Sequence, residues 1–248
     1  RSKRVYIVFD GVMAFPQVYV NEKLAGKWDY GYNSFYFDIT DFLNLSGKNL
    51  IAVHADTRQH DSRWYPGAGI YRKVQLISKS PVHLDIWGTQ ITTPIIKPGY
   101  AIVLVNAEVT NKSQTEAEAE IEQIILSPRG IPIASQVQKG KLSAGQKKDF
   151  ENSFTLADPQ LWDVDKGVMY TVKTLIRING QLVDEQQIPF GIRSMRFTAD
   201  DGFYLNDRRV QLKGVCLHHD HGPLGAAFYP RAMERQLELL KEMGCNAV

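Results

Sequence analysis

The sequence predicts a mainly β chain: two consecutive β-sandwich regions, then the opening strand–helix–strand unit of a parallel (β/α)8 barrel. Three observations carry this reading. Short aromatic-rich segments with alternating apolar residues, separated by Gly, Asn and Pro signals, run from Val5 to Phe190. From Glu116 to Glu122 every second residue is glutamate while Ala117, Ala119 and Ile121 take the alternate positions, which puts one face in water and one in a core. From Phe203 to Val248 a tight hairpin, a short apolar strand, a polar loop, a helix and the start of a second apolar strand succeed one another. That order is the first unit of a parallel barrel, in which the loop after a strand is where chemistry sits.

The elements can be justified in order. In the first region Val5, Ile7 and Phe9 alternate, and Val18-Tyr19-Val20 passes through Asn21-Glu22-Lys23 into Leu24, a hairpin signal. Phe35, Phe37 and Ile39 alternate with Tyr36, Asp38 and Thr40, as in a half-buried strand, and Ile51 to Ala55 and Tyr71 to Leu76 supply two more. Such strands fit a sandwich or jelly roll. Too few precede Val5 to close two sheets, so the N-terminal part of that domain is expected to be missing from the chain. Pro81 opens the second region, with Val82, Leu84 and Ile86 alternating and Ala101 to Thr110 forming a long strand. Phe150 to Leu156 comes next, then Tyr170 to Ile178, which ends at the turn Asn179-Gly180. About 110 residues with this strand spacing predict an immunoglobulin-like sandwich, here without an inter-sheet disulfide. Phe190-Gly191-Ile192-Arg193 closes it. In the last region Pro230 suits a first helical turn, Met233, Leu237 and Leu240 form one apolar stripe, and Gly244 suits the helix C-cap. The expected domains are therefore 1–80, 81–193 and 194–248.

Composition narrows the function classes. With 248 residues, 44% hydrophobic and 23% charged, the chain is an ordinary globular one. A net charge of +2, without any basic cluster, gives no reason to expect a nucleic-acid partner. No apolar run approaches the roughly 20 residues that span a membrane. Cys216 and Cys245 are the only cysteines and read as two buried thiols, too far apart to bridge. The compartment is left open, periplasm and exterior included, because the chain begins at Arg1 without a signal segment. Association of identical copies is also left open.

Two clusters could carry chemistry. His218, His219, Asp220 and His221 are one. Histidine and aspartate are ordinary zinc ligands, but adjacent residues cannot easily converge on one ion, and no metal or other cofactor is expected. Imidazole and carboxylate also supply the directional donors and acceptors that a hydroxyl-rich ligand needs. The bland alternative is a solvated loop whose histidines cap strand and helix ends; a position after a barrel strand favours ligand contact. The second cluster, Asp61-Ser62-Arg63-Trp64-Tyr65-Pro66-Gly67-Ala68-Gly69-Ile70-Tyr71-Arg72, sets charges and large aromatics beside a tightly turning backbone. It reads equally well as sugar-binding equipment, with rings stacking on a pyranose face, and as a packed loop pinning two sheets.

These clusters, flanking an immunoglobulin-like middle, resemble glycoside hydrolase family 2 along essentially the whole chain. Phe9-Asp10-Gly11-Val12, Val18-Tyr19-Val20-Asn21, Tyr32-Asn33-Ser34-Phe35 and Phe37-Asp38-Ile39-Thr40 look like its sugar-binding domain, which Gly69-Ile70-Tyr71-Arg72 would end. Leu161-Trp162-Asp163 and Phe190-Gly191-Ile192-Arg193 resemble its sandwich domain. Leu205-Asn206, Leu212-Lys213-Gly214-Val215 and the His loop resemble the barrel entry. The wording His218-His219-Asp220-His221-Gly222-Pro223-Leu224-Gly225 is most similar to β-galactosidases, with glucuronidases and mannosidases as the alternatives.

The resemblance implies a retaining β-glycosidase that cleaves terminal β-galactosyl residues from a carbohydrate substrate. His218 would contact substrate hydroxyls, with His219, Asp220, His221, Asp61, Arg63 and Trp64 as further substrate-binding candidates. Arg63 stands where some members present an aspartate toward the sugar, a departure from the pattern. Family members use two glutamates about 5–5.5 Å apart, both on later barrel strands. The chain is accordingly expected to be an internal, inactive fragment with no catalytic residue of its own. An alternative of another class is a non-catalytic carbohydrate-binding module built of β-sandwiches. An Asn-Glu pair at a later strand end would discriminate the two.

Overall fold

The computed structural model describes residues 3–57, 66–218 and 220–248. The chain is mainly β, and it divides into two compact units: residues 3–78 with 213–248, and residues 79–212.

The first unit holds β1 (Arg4–Phe9), β2 (Val12–Met13), β3 (Gln17–Val20), β4 (Lys23–Lys27), β5 (Phe35–Asp38), β6 (Ile51–His54), β7 (Gly69–Ile70) and β8 (Val74–Lys79). They pair in the orders β5-β1-β8, β4-β3-β6 and β2-β7. The apolar alternation of the sequence becomes one core of Ile7, Phe9, Val12, Val18, Val20, Phe35 and Ile39, in which Phe9 and Phe35 stack at 5.0 Å. Strand β1 is buried on both faces, since Tyr6 and Val8 are as enclosed as Ile7 and Phe9. Gly26 is needed where it stands: a Cβ there would lie 2.2 Å from the Phe37 ring. The expected hairpin joins β3 to β4 through Asn21 and Glu22, at φ 49° and 68°, the two positive φ values of a type I′ turn. Asp38 accepts hydrogen bonds from Arg4 Nη2 and Thr40 Oγ1, both at 2.5 Å. Burial raises the Asp38 pKa, and the bonds from Thr40 and Arg4 outweigh it, leaving the carboxyl below its ordinary value.

The strand expected over Tyr71–Leu76 begins later, at Val74. Tyr71 leaves the ladder because its own groups are engaged elsewhere: the hydroxyl donates to Gly31 O at 2.9 Å and the carbonyl accepts from Phe228 N at 2.8 Å. In residues 213–248 the expected strand pair is a single parallel bridge, Gly214 with Ala247. It is reinforced by Lys213 N donating to Asn246 Oδ1 at 2.7 Å and by Lys213 O accepting from Asn246 N at 2.8 Å. Between them α1 (Pro230–Glu242) starts on Pro230, whose missing N–H costs nothing in a first turn. It stops at Gly244, φ 88°, where Gly244 N bonds Lys241 O at 3.0 Å and Cys245 N bonds Leu240 O at 2.9 Å; this is the Schellman pattern. Met233 and Leu240 are half-buried and Leu237 is exposed. The expectation of two buried thiols needs correction. Cys216 is exposed and Cys245 half-buried, because each flanks the short parallel bridge rather than the middle of a covered strand.

The second unit holds β9 (Val82–Lys97), β10 (Tyr100–Asn111), β11 (Ala117–Leu126), β12 (Pro132–Leu142), β13 (Lys147–Ala157), β14 (Tyr170–Ile178), β15 (Gln181–Phe190), β16 (Met195–Thr198), β17 (Gly202–Leu205) and β18 (Arg208–Arg209). Sheets β13-β10-β9 and β12-β11-β14-β15 form the sandwich, and β16-β17-β18 forms a separate three-stranded sheet. Ala119 and Ile121 are fully buried, as the glutamate alternation of β11 requires. The interior is two apolar clusters, one around Val103, Val105, Phe154 and Val172 and one around Leu84, Val109, Ile121 and Ile176. Asn152 and Gln123 meet in the same interior at 2.8 Å, with Thr174 opposite Gln123 on the neighbouring strand. Turn Asn179-Gly180, φ 51° and 77°, joins β14 to β15, and Asn206-Asp207, φ 51° and 60°, joins β17 to β18. Strand β9 bulges at Trp87, φ 59°, where its register against β10 slips between Ala107 and Val109. Between Val5 and Phe190 the described residues contain no helix longer than the 3-10 turn Thr40–Phe42.

Candidate functional site

The His loop lies in the first unit, between the bridge residue Gly214 and the start of α1. The sequence builds it from local bonds. The Asp220 carboxylate accepts from Gly222 N at 2.9 Å, an Asx turn, and His221 N donates to Gly225 O at 2.9 Å across a 3-10 turn. Gly222 and Gly225, at φ 62° and 59°, adopt backbone that a side chain would strain.

The loop then separates its polar residues. His218 and Asp220 are exposed, whereas His221 is only 9% exposed. The His221 and Phe228 rings meet in an edge-to-face contact, centroids 6.2 Å apart, and neither His221 ring nitrogen has a hydrogen-bond partner among the described residues. His219, Asp61, Arg63 and Trp64, named above as substrate-binding candidates, lie outside the described residues.

The turn from Gly67 to Arg72 packs on the His loop. Gly67 leaves no room for a side chain, since a Cβ there would sit 2.4 Å from Ala226 Cβ. Met13, Ala14, Tyr71 and Ala226 form a small buried cluster of their own. Phe228 N donates to Tyr71 O at 2.8 Å. The Arg72 guanidinium lies over both neighbouring rings, 5.1 Å from the Tyr71 centroid and 6.0 Å from that of Phe228. Burial pushes the Tyr71 phenol up from its ordinary value, with Arg72 partly opposing. Gly67, Tyr71 and Arg72 belong to the second sequence cluster. Ala226 and Phe228 carried no signal in sequence, because an apolar residue before a helix is commonplace.

The arrangement offers an exposed imidazole and an exposed carboxylate on a loop braced from below by aromatic and cationic contacts. That suits recognition of hydroxyl groups, which need directional donors and acceptors held still. Among the described residues no three His, Cys, Asp or Glu side chains are grouped so as to hold a metal ion.

Residues 1–81 match the model of the sugar-binding domain of glycosyl hydrolases family 2, and residues 82–193 match that of glycosyl hydrolases family 2 itself. The β-galactosidase BoGH2A of Bacteroides ovatus is 39% identical over 98% of this chain, and a β-glucuronidase of Bacteroides fragilis is 28% identical over all of it. The chain spans 29% and 37% of the lengths of those two relatives. Among solved structures, a glycosyl hydrolase family 2 member from Bacteroides cellulosilyticus superposes with a TM-score of 0.93 at 35% identity, covering 99% of this chain and 34% of that one. A β-glucuronidase of Bacteroides uniformis superposes with a TM-score of 0.91 at 29% identity, covering 98% of this chain and 31% of that one.

Proposed function

The chain belongs to glycosyl hydrolase family 2, and on that premise we propose that the whole protein is a retaining β-glycosidase acting on terminal β-galactosyl residues. The observation that carries the site assignment is the His loop, which joins a parallel-bridged residue to a helix. That is where a barrel enzyme keeps its chemistry. In this reading His218 hydrogen-bonds substrate hydroxyls and Asp220 shapes the loop that presents it. The loop's neighbours from β7 to Arg72 would form one wall of the sugar pocket, and Asp61, Arg63 and Trp64 are kept as further substrate-binding candidates.

The acid/base and nucleophile are assigned to two glutamates on later barrel strands, about 5–5.5 Å apart so that a covalent glycosyl intermediate can form. The 248-residue chain by itself should then turn over no aryl β-glycoside. A glucuronide substrate is the second reading, supported by the relatives named β-glucuronidase.

Full-length protein assayed on a panel of chromogenic glycosides tests the proposal. Preference for the aryl β-galactoside supports it, preference for the β-glucuronide moves the assignment to the second reading, and no β-glycosidase activity overturns both. In the same protein His218→Ala should cost about 3 kcal/mol of transition-state binding. An unchanged kcat/KM would remove His218 from the site.

A further inference from the structure

We propose that Arg72 and Phe228 are positioning residues for glycoside cleavage, acting as a clasp that sets the His218–Gly225 loop in place. The inference rests on the reading that this loop contacts substrate.

Inside the loop the fixed points are local: Asp220 to Gly222, His221 to Gly225, and Gly225 to Gly222. Bonds of that kind set the loop's shape but not its place. Among the described residues, three contacts tie it and the segment after it to the turn around β7. Phe228 N bonds Tyr71 O, Ala226 closes on Gly67, and the Arg72 cation faces both the Tyr71 and the Phe228 rings.

The His221 ring meets Phe228 edge-to-face beside them. His221 is buried, and among the described residues the contact that holds its ring is the packing on Phe228. A guanidinium over an aromatic face is attracted by the ring quadrupole, more strongly as water is excluded. It also fixes the ring plane, which an aliphatic side chain of the same volume would not. His218 lies three residues from His221, so a shift of the stack moves the imidazole that is to meet the sugar.

The test uses full-length enzyme and an aryl glycoside that it hydrolyses. Arg72→Met and Phe228→Leu roughly keep the volume and remove the cation or the ring. Each should lower kcat by on the order of 100-fold, the effect of a misplacement of about 1 Å at a reacting centre. The double variant should be no worse than the poorer single one, and Phe228→Trp and Arg72→Lys should restore part of the activity. Ala226→Val, which wedges the same joint open against Gly67, should reproduce the loss. A kcat within about twofold of wild type in Arg72→Met and Phe228→Leu, while His218→Ala is impaired, overturns the clasp and leaves the site reading standing. A neutral His218→Ala overturns the site reading and the clasp with it. Losses that vanish when assays are run well below each variant's melting temperature would show a role in stability alone, and would also overturn the clasp.

Discussion

Two side chains of the second unit are polar groups whose partners set a measurable behaviour. His83 is fully enclosed, with Nδ1 2.6 Å from Ser80 O. Burial disfavours the charged ring and lowers its pKa below the ordinary 6.5, with the Ser80 carbonyl partly opposing. The unfolded chain therefore binds a proton that the folded chain refuses. Stability is at its full value above pH 6.5 and is lost as pH falls below it toward the folded-state pKa. Urea unfolding as a function of pH should show this slope in wild type and a shallower one in His83→Gln; equal slopes would acquit His83. Asn206 is the second. At φ 51° it accepts from Ser194 N at 3.0 Å through Oδ1 and donates to Trp162 O at 2.9 Å through Nδ2. Asn206→Gly keeps the backbone conformation and removes both bonds, and should cost about 1–3 kcal/mol. Asn206→Ala should cost more, because alanine lacks the local hydrogen bonding that lets asparagine tolerate positive φ. Denaturant unfolding of the two variants checks the order.

At the scale of elements, the sandwich sheets are joined by one buried amide pair as well as by apolar packing. Asn152 Nδ2 on β13 donates to Gln123 Oε1 on β11 at 2.8 Å, and Gln138 Nε2 on β12 donates to Asn152 Oδ1 at 2.8 Å. Asn152→Leu leaves the buried Gln123 Oε1 without its donor and should destabilise by about 1–3 kcal/mol, whereas Gln123→Leu with Asn152→Leu should recover most of the loss. A double variant as weak as the single one would show that the amides contribute more than mutual satisfaction. The hairpin β3–β4 gives a prediction of the opposite sign. Its turn holds Glu22 at φ 68°, left-handed backbone that costs a residue with a Cβ roughly 1–2 kcal/mol. Glycine is preferred at that place in a type I′ turn. Glu22→Gly should therefore raise the melting temperature despite the greater freedom it gives the unfolded chain. A fall would mean that this freedom outweighs the relief of strain.

For the whole molecule, two compact units imply that one two-state transition is a poor description of unfolding. Ile176 is fully buried in the sandwich, and Ile176→Ala should remove about 2–5 kcal/mol there. Calorimetry should show the transition of residues 79–212 moving down while that of the other unit moves much less. A single transition that shifts as a whole would show the two units to be one cooperative block. The contrast in activity belongs to the same scale. The chain alone should be inert on aryl β-galactosides under conditions where full-length protein turns over, and hydrolysis by the chain, free of host enzyme, would mean that the active site has been misplaced.

The sequence by itself determined the β character, the glutamate-lined face of β11, the turns at Asn21, Asn179 and Asn206, the limits of α1 at Pro230 and Gly244, and the family resemblance. Each of these is written in local periodicity or in the backbone preferences of a few adjacent residues, which act before any tertiary contact forms. Strand β12 was not legible. β12 is mostly exposed and its middle reads Ser135-Gln136-Val137-Gln138-Lys139, so its existence depends on pairing with β11 rather than on its own pattern. The late start of β8 was likewise hidden, because what pulls Tyr71 out of the ladder are Gly31 and Phe228, far away in sequence. In the His loop, composition marked four polar residues as alike. Only the tertiary structure decided that His218 and Asp220 face solvent while His221 is packed against Phe228. Burial depends on which distant groups arrive to cover a residue, and no local pattern encodes that arrival.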